Sequence, residues 1–336
     1  MCGVYSGAPG ILVLECPLTA IRRRRNRRQP LDDLDFSNLV PAAPAKPAAA
    51  PVPLTASQIS ARAVSLPQDP KLAMRFFGIS GETETVEAGT ALFSEGEKPA
   101  GMFAKKARMY LLLEGQIALT LKGKPLHLVL PGENFGELAI ISDAPRSASA
   151  TALKNSKVSA MDEKRVLAAL PQAPEFALQL VSNLTAQMRR SVERLLAAKR
   201  GGIVPRLGGS GLNNDQAAKL RQTLGDPQPT PMRKGETVVT QGATGINMFV
   251  MLGGRVTISV NGAPVEQVGP GETFGEAALL GATTRGATAV AEDDGYWLPV
   301  NRDAFLKIVR EQPAIGLALM RSMSGRIQHL NSQIGA

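Results

Sequence analysis

Phe135-Gly136-Glu137-Leu138-Ala139, followed after six residues by Arg146-Ser147-Ala148-Ser149-Ala150, recurs as Phe274-Gly275-Glu276-Ala277-Ala278 followed by Arg285-Gly286-Ala287-Thr288-Ala289. Each position of the second copy lies 139 residues after its counterpart, so the spacing from glutamate to arginine is identical. An ionised carboxylate only accepts hydrogen bonds, while a guanidinium offers a planar fork of donors. Held at fixed separation around a glycine, the two can grip a hydroxylated, singly anionic small molecule. Two copies imply two such sites.

The likeness extends outward. Gly115 matches Gly254, Pro131-Gly132 matches Pro270-Gly271 and Pro174 matches Pro313, all at the offset of 139. Upstream, Gly89 matches Gly235 and Gly96 matches Gly242 at an offset of 146, so the first copy carries seven extra residues around Lys105, Lys106 and Arg108. An insertion at a turn costs little, because loop-closure entropy rises slowly with length. Agreement over more than a hundred residues is a domain duplication.

Short alternating segments at 83–86, 91–94, 109–113, 117–121, 126–130 and 157–161, broken by Gly89, Gly96, Gly115 and Gly123, predict strands. The expected fold is mainly β with helices (α+β): two tandem jelly rolls or small barrels, each followed by C-terminal helices. In the helix after Pro174, Val181, Leu184, Met188, Val192 and Leu195 form one apolar stripe. Its simplest use is packing on its own barrel; the other use is a homodimer seam. Gly201-Gly202 and Gly208-Gly209-Ser210-Gly211 read as a flexible joint, and a second helix is expected over 313–334. The domains are therefore placed at 71–200 and 215–336, with a Gly-rich linker over 201–214. The run from Val40 to Pro53 is rich in proline and alanine, so residues 1–70 read as a disordered Arg/Pro/Ala-rich tail.

Composition narrows the function. The net charge of +9 includes six arginines between Arg22 and Arg28, without which the balance is +3. That run reads as a solvated tail segment, with RNA, DNA or anionic lipid as its alternative contacts. Both cysteines, Cys2 and Cys16, lie in the tail, which excludes a disulfide framework from the rest and favours a reducing, cytoplasmic setting. His127 and His329 are far apart without cysteine neighbours, so no metal site is expected. No stretch is long and apolar enough for a transmembrane segment. With no Gly-rich ATP loop and no hydroxyl–histidine pair in context, no enzyme is expected.

The duplicated segment resembles the phosphate-binding cassette of cyclic nucleotide-binding domains, the family of kinase regulatory subunits, catabolite activator-type proteins and gated channels. Met109-Tyr110-Leu111-Leu112-Leu113-Glu114-Gly115 and Met248-Phe249-Val250-Met251-Leu252-Gly253-Gly254 resemble that family's strand before the cassette. The resemblance covers roughly residues 75–200 and 220–335. It implies a ligand, cAMP ahead of cGMP, and no cofactor. The ligand-binding residues it implies are Gly136, Glu137, Leu138, Ala139, Arg146, Ser147 and Ala148, and Gly275, Glu276, Ala277, Ala278, Arg285, Gly286 and Ala287. Glutamate would accept the ribose 2′-hydroxyl, and arginine would take the cyclic phosphate through paired charge-assisted bonds. A short helix, 139–142 or 278–281, would turn its N-terminal amides to the phosphate. Thr284 replaces Pro145, and Gly286 replaces Ser147, so the second site is expected to be the looser one. Met188 and Met320 are candidates to cover the base, with core packing as their alternative; Tyr296 and Trp297 are expected inside the barrel.

The expected function is a sensor that changes conformation on binding and regulates an unidentified effector protein. With no helix-turn-helix after the second domain's helix, direct DNA binding is not expected. The alternatives are a kinase regulatory subunit, a scaffold that has lost its ligand, and a nucleic-acid or membrane-surface protein working through the arginine run. In Arg27-Arg28-Gln29-Pro30-Leu31 the first of these finds a basic pair and a trailing apolar residue, but a proline between them.

Overall fold

The computed structural model describes residues 69–98, 107–142, 145–198, 211–282 and 284–335. The readings of residues 1–68, and of the joint up to residue 210, lie outside that set.

The first repeat opens with α1 (Pro70–Ser80) and runs β1 (Glu82–Val86), β2 (Ala91–Phe93), β3 (Arg108–Glu114), β4 (Ile117–Leu121), β5 (Lys124–Val129), β6 (Asn134–Phe135), α2 (Leu138–Ser142), β7 (Ser149–Ala152) and β8 (Ser156–Asp162). It closes with α3 (Glu163–Ala169) and α4 (Glu175–Ala197). The second repeat runs α5 (Asn214–Thr223), β9 (Thr230–Met232), β10 (Thr237–Val239), β11 (Met248–Gly253), β12 (Val256–Val260), β13 (Ala263–Val268) and β14 (Thr273–Phe274). After a 3-10 helix (Glu276–Leu280) come β15 (Thr288–Ala291), β16 (Gly295–Val300), α6 (Arg302–Glu311) and α7 (Pro313–Gly335).

Each repeat builds two antiparallel four-stranded sheets, ordered β1-β8-β3-β6 and β2-β7-β4-β5 in the first, and β9-β16-β11-β14 and β10-β15-β12-β13 in the second. That order, twice, is the expected jelly roll. Alternation along β3 decides what each sheet face touches. Met109 and Leu111 join the helical layer, while Tyr110 and Leu112 fill the barrel with Phe93, Phe135 and Val158.

α1 starts where Asp69 accepts from the amides of Lys71 and Leu72 and Pro70 takes the first helical position. Its Phe76 stacks on Phe176 of α4 with ring centroids 4.0 Å apart. One apolar cluster then runs from α1 and α4 through Ile140 and Ile141 of α2 to Ile315, Met320, Met323 and Ile327 of α7. The helices of both repeats thus share one core.

The stripe on α4 corrects the simpler expectation, that the whole helix packs on its own barrel. A helix of 23 residues is about 35 Å long. Its first half sits in the shared core; Leu195, with Met188 and Val192, packs against Phe249, Val265 and the rest of the second barrel. The end of the stripe, from Met188 to Leu195, is thus covered by the second repeat. α4 also lies against α7, where Ser191 Oγ donates to Asn331 Oδ1 at 2.7 Å. Each long helix meets the cassette of the other repeat: α4 the 3-10 helix, α7 the helix α2. The end of the linker is docked as well, with Leu212 buried and its amide donating to the Gly271 carbonyl at 2.8 Å.

Candidate functional site

In the first repeat, β6 ends at Phe135 inside the barrel and the chain turns at Gly136, whose φ of 75° favours a residue without a β-carbon. A Cβ there would sit 3.1 Å from Arg146 Nη1 and 3.2 Å from Phe93 Cε1. Glu137 then opens α2, its carbonyl accepting from the amides of Ile140 and Ile141. Across the loop, Arg146 is pinned by its backbone, with its amide on the Glu97 carbonyl and its carbonyl on the Gly96 amide, each at 2.8 Å. Its guanidinium donates to the Gly136 carbonyl at 3.0 Å and to the Arg108 carbonyl at 2.8 Å, and lies 4.0 Å over the Phe93 ring.

Burial dominates the electrostatics. Glu137 and Arg146 are 9% and 8% exposed. Desolvation raises the Glu137 pKa, against its own amide and the charge of Arg146. It also lowers that of Arg146, against Tyr110, Glu97 and Glu137. A cavity of about 680 Å³ opens at the barrel mouth, lined among others by Arg146, Tyr110, Arg108, Glu84, Glu97 and Asp162. Glu84 pairs with Arg108, and Glu82 with Arg165. The second repeat has Thr230, Asn247, Gln228 and Ala304 in these four places, so its mouth lacks those charges.

The second site keeps the frame. Gly275 has φ 78°. Arg285 donates through Nη1 to the Asn247 carbonyl at 2.7 Å, and Asn247 is the counterpart of Arg108. Its guanidinium lies 5.0 Å from the Phe249 ring, against Gly245, where a Cβ would come within 2.3 Å of Nη2 and push the guanidinium aside. Arg285 makes one such bond where Arg146 makes two, and is more exposed, in keeping with a looser site. Thr284 pulls the other way, because it bridges to Thr244 in a short antiparallel pairing.

Glu276 differs most from its counterpart. Its Oε1 accepts from Thr273 Oγ1 at 2.7 Å and from Arg326 Nη1 of α7 at 2.8 Å. Arg326 also grips Glu266 of β13, with Nε at 3.0 Å and Nη2 at 2.6 Å. All three side chains are buried. Burial alone would lower the Arg326 pKa, but the charges and hydrogen bonds of Glu266 and Glu276 raise it above its ordinary value. His127 and Gln187 stand at the matching places of the first repeat, so this triad has no twin.

Of the other expected ligand residues, Leu138, Ala139 and Ala148 in the first cassette and Ala277, Ala278 and Ala287 in the second are buried or half-buried, while Ser147 and Gly286 are exposed. The short helix of the first cassette starts one residue earlier than expected, at Leu138; the second is a 3-10 helix starting at Glu276. Met320 is fully buried in the shared core, and Met188 packs against both that core and the second barrel. Tyr296 is 55% exposed, contrary to expectation, whereas Trp297 meets Phe249 edge-on inside the barrel. Sequence reasoning missed Phe93, the Arg108 and Asn247 carbonyls, and Arg326. The offset of 139 that joins Arg108 to Asn247 was a usable signal; Arg326, whose counterpart in the first repeat is Gln187, left none. Among the described residues no group of three potential ligands could hold a metal, and no helix is long and apolar enough to cross a membrane.

A family model for the cyclic nucleotide-binding domain matches residues 83–172 and again 229–312. A cAMP-dependent protein kinase regulatory subunit from Aspergillus niger is 31% identical over 56% of this chain and 41% of its own length. A cGMP-dependent protein kinase of Drosophila melanogaster, isozyme 1, is 25% identical over 68% of this chain and 27% of its own. The chain thus spans less than half the length of these curated relatives. The regulatory domain of Toxoplasma gondii PKA, solved with cAMP, is 18% identical, covering 78% of this chain and 98% of that one with a TM-score of 0.27. With both repeats matched over their barrels and cassettes, the chain belongs to the cyclic nucleotide-binding domain family and carries two such domains in tandem.

Proposed function

We infer that the chain is a cyclic-nucleotide sensor: each cassette takes one nucleotide, cAMP ahead of cGMP, and the bound state regulates a partner protein. The observation that carries this is the shared seat of Arg146 and Arg285. Each guanidinium donates to a backbone carbonyl at matching positions, and each lies over a barrel aromatic beside a left-handed glycine. Two cations seated alike offer a cyclic phosphate the same paired donors. The burial that raises the Glu137 pKa also makes a hydroxyl donor worth more to it than in water.

Calorimetric titration of the full chain with cAMP and with cGMP tests this, followed by Arg146→Ala and Arg285→Ala. Each substitution should weaken its own site roughly thirty-fold or more. No heat from the unsubstituted chain at millimolar nucleotide would leave the ligand-free scaffold as the better reading.

The fungal relatives favour one reading of the partner, a protein kinase catalytic subunit. The full chain should then inhibit a cAMP-dependent kinase catalytic subunit, with inhibition released by cAMP. Inhibition that ignores the nucleotide, or none at equimolar protein, points to a different effector.

A further inference from the structure

The Ile141 carbonyl stands in the last turn of α2, and the residue four places on, which would supply its helical donor, is Pro145, with no N–H. The donor comes instead from the other repeat. Arg321 of α7 donates Nε to the Ile141 carbonyl at 2.9 Å, and its Nη2 lies 3.5 Å from Glu163 Oε1 at the start of α3. In the second repeat the counterpart of Glu163 is Arg302, which donates Nη1 to the Leu279 carbonyl at 2.9 Å. The second cassette's helical segment is thus tied down by a cation of its own repeat. The first, with a carboxylate at that place, borrows one from its neighbour.

The same helix reaches the other site. Arg326 lies five residues after Arg321, about 7.5 Å along α7 and about 140° around it, so the two guanidiniums face opposite repeats. One rigid helix therefore holds the end of the first cassette's helix and the carboxylate of the second cassette.

We propose that Arg321 is a positioning residue of the first nucleotide site, supplied to it by the second repeat. The proposal rests on the nucleotide-binding reading. Arg321 fixes the end of α2 five residues before Arg146, and so limits how far that arginine and Glu137 move apart. The Arg321–Glu163 pair is partly exposed, with side chains 29% and 48% accessible, so it adds little to global stability. Its effect falls on a helix of five residues.

The test uses the full chain carrying Arg285→Ala, in which the first site is read alone. Arg321→Ala should weaken cAMP binding there about tenfold, Arg321→Lys should recover most of the loss, and Glu163→Gln should fall between them. Without nucleotide, amide exchange over residues 138–142 should quicken in Arg321→Ala and stay unchanged in α1. First-site affinities within twofold of one another, with unchanged exchange, overturn the proposal. If the unsubstituted chain binds neither cAMP nor cGMP, the proposal falls with the reading beneath it. In that case exchange over 138–142 still responds to Arg321, which separates the two failures.

Discussion

Glu137 and Glu276 hold the same place in two cassettes with different neighbours. Burial raises the Glu137 pKa, so the folded chain holds that proton more tightly than the unfolded one. A group raised in this way gives its full stability below its ordinary value of 4.5 and loses it as pH climbs through the folded value. Glu137→Gln should therefore raise the melting temperature of the ligand-free protein at pH 7 while weakening first-site nucleotide binding. The gain should vanish towards pH 4, where wild-type Glu137 is protonated folded or unfolded; a gain of equal size at both pH values would contradict this account. Glu276, by contrast, shares a buried Arg326 with Glu266. Arg326→Ala leaves two buried carboxylates uncompensated and should cost about 3–5 kcal/mol, read from urea unfolding. Gly136→Ala forces a side chain into the left-handed region against Arg146 and Phe93, at about 1–2 kcal/mol, and should weaken the first site as well. The Phe-Gly-Glu and Arg-x-Ala spacing made these positions legible. Their unequal surroundings were not, because Glu266 and Arg326 are distant in sequence and only the fold brings them to Glu276.

At the scale of elements, strands with β-branched or large apolar residues were legible and the others were not. β7 was missed because Ser149, Ala150, Thr151 and Ala152 alternate correctly, with both alanines buried, but alanine carries little strand preference. β6 has two residues, too few for any period to show. The helix α1 was announced by Asp69-Pro70, a cap and a first-turn proline that the proline-rich stretch before it obscured. The apolar period of α4 was clear, yet periodicity names a buried face without naming what buries it. Leu195 shows the consequence, because it belongs in sequence to the first repeat and in space to the core of the second barrel. Leu195→Ala should cost about 2–5 kcal/mol and should loosen the second barrel, with faster amide exchange in β11 and β13 than in β3 and β5. The reverse pattern would mean that α4 packs on its own barrel after all.

For the molecule as a whole, the shared helical core decides how the two domains respond to heat and ligand. Residues of α1, α2, α4, α6 and α7 belong to one apolar cluster, so neither barrel can shed its helices without exposing surface that the other repeat covers. The two repeats should therefore melt in one calorimetric transition, with equal calorimetric and van't Hoff enthalpies. A nucleotide at a hundred times its dissociation constant adds about 2.7 kcal/mol for each occupied site. In a chain with Arg285→Ala, cAMP at the first site alone should move that single transition upward as a whole. If the repeats melted independently, the same ligand would split the trace, raising one peak and leaving the other in place. A single shifted peak would mean that a signal received in one cassette is shared by the whole folded unit, the condition a two-site sensor needs if filling either site is to alter the surface it offers a partner.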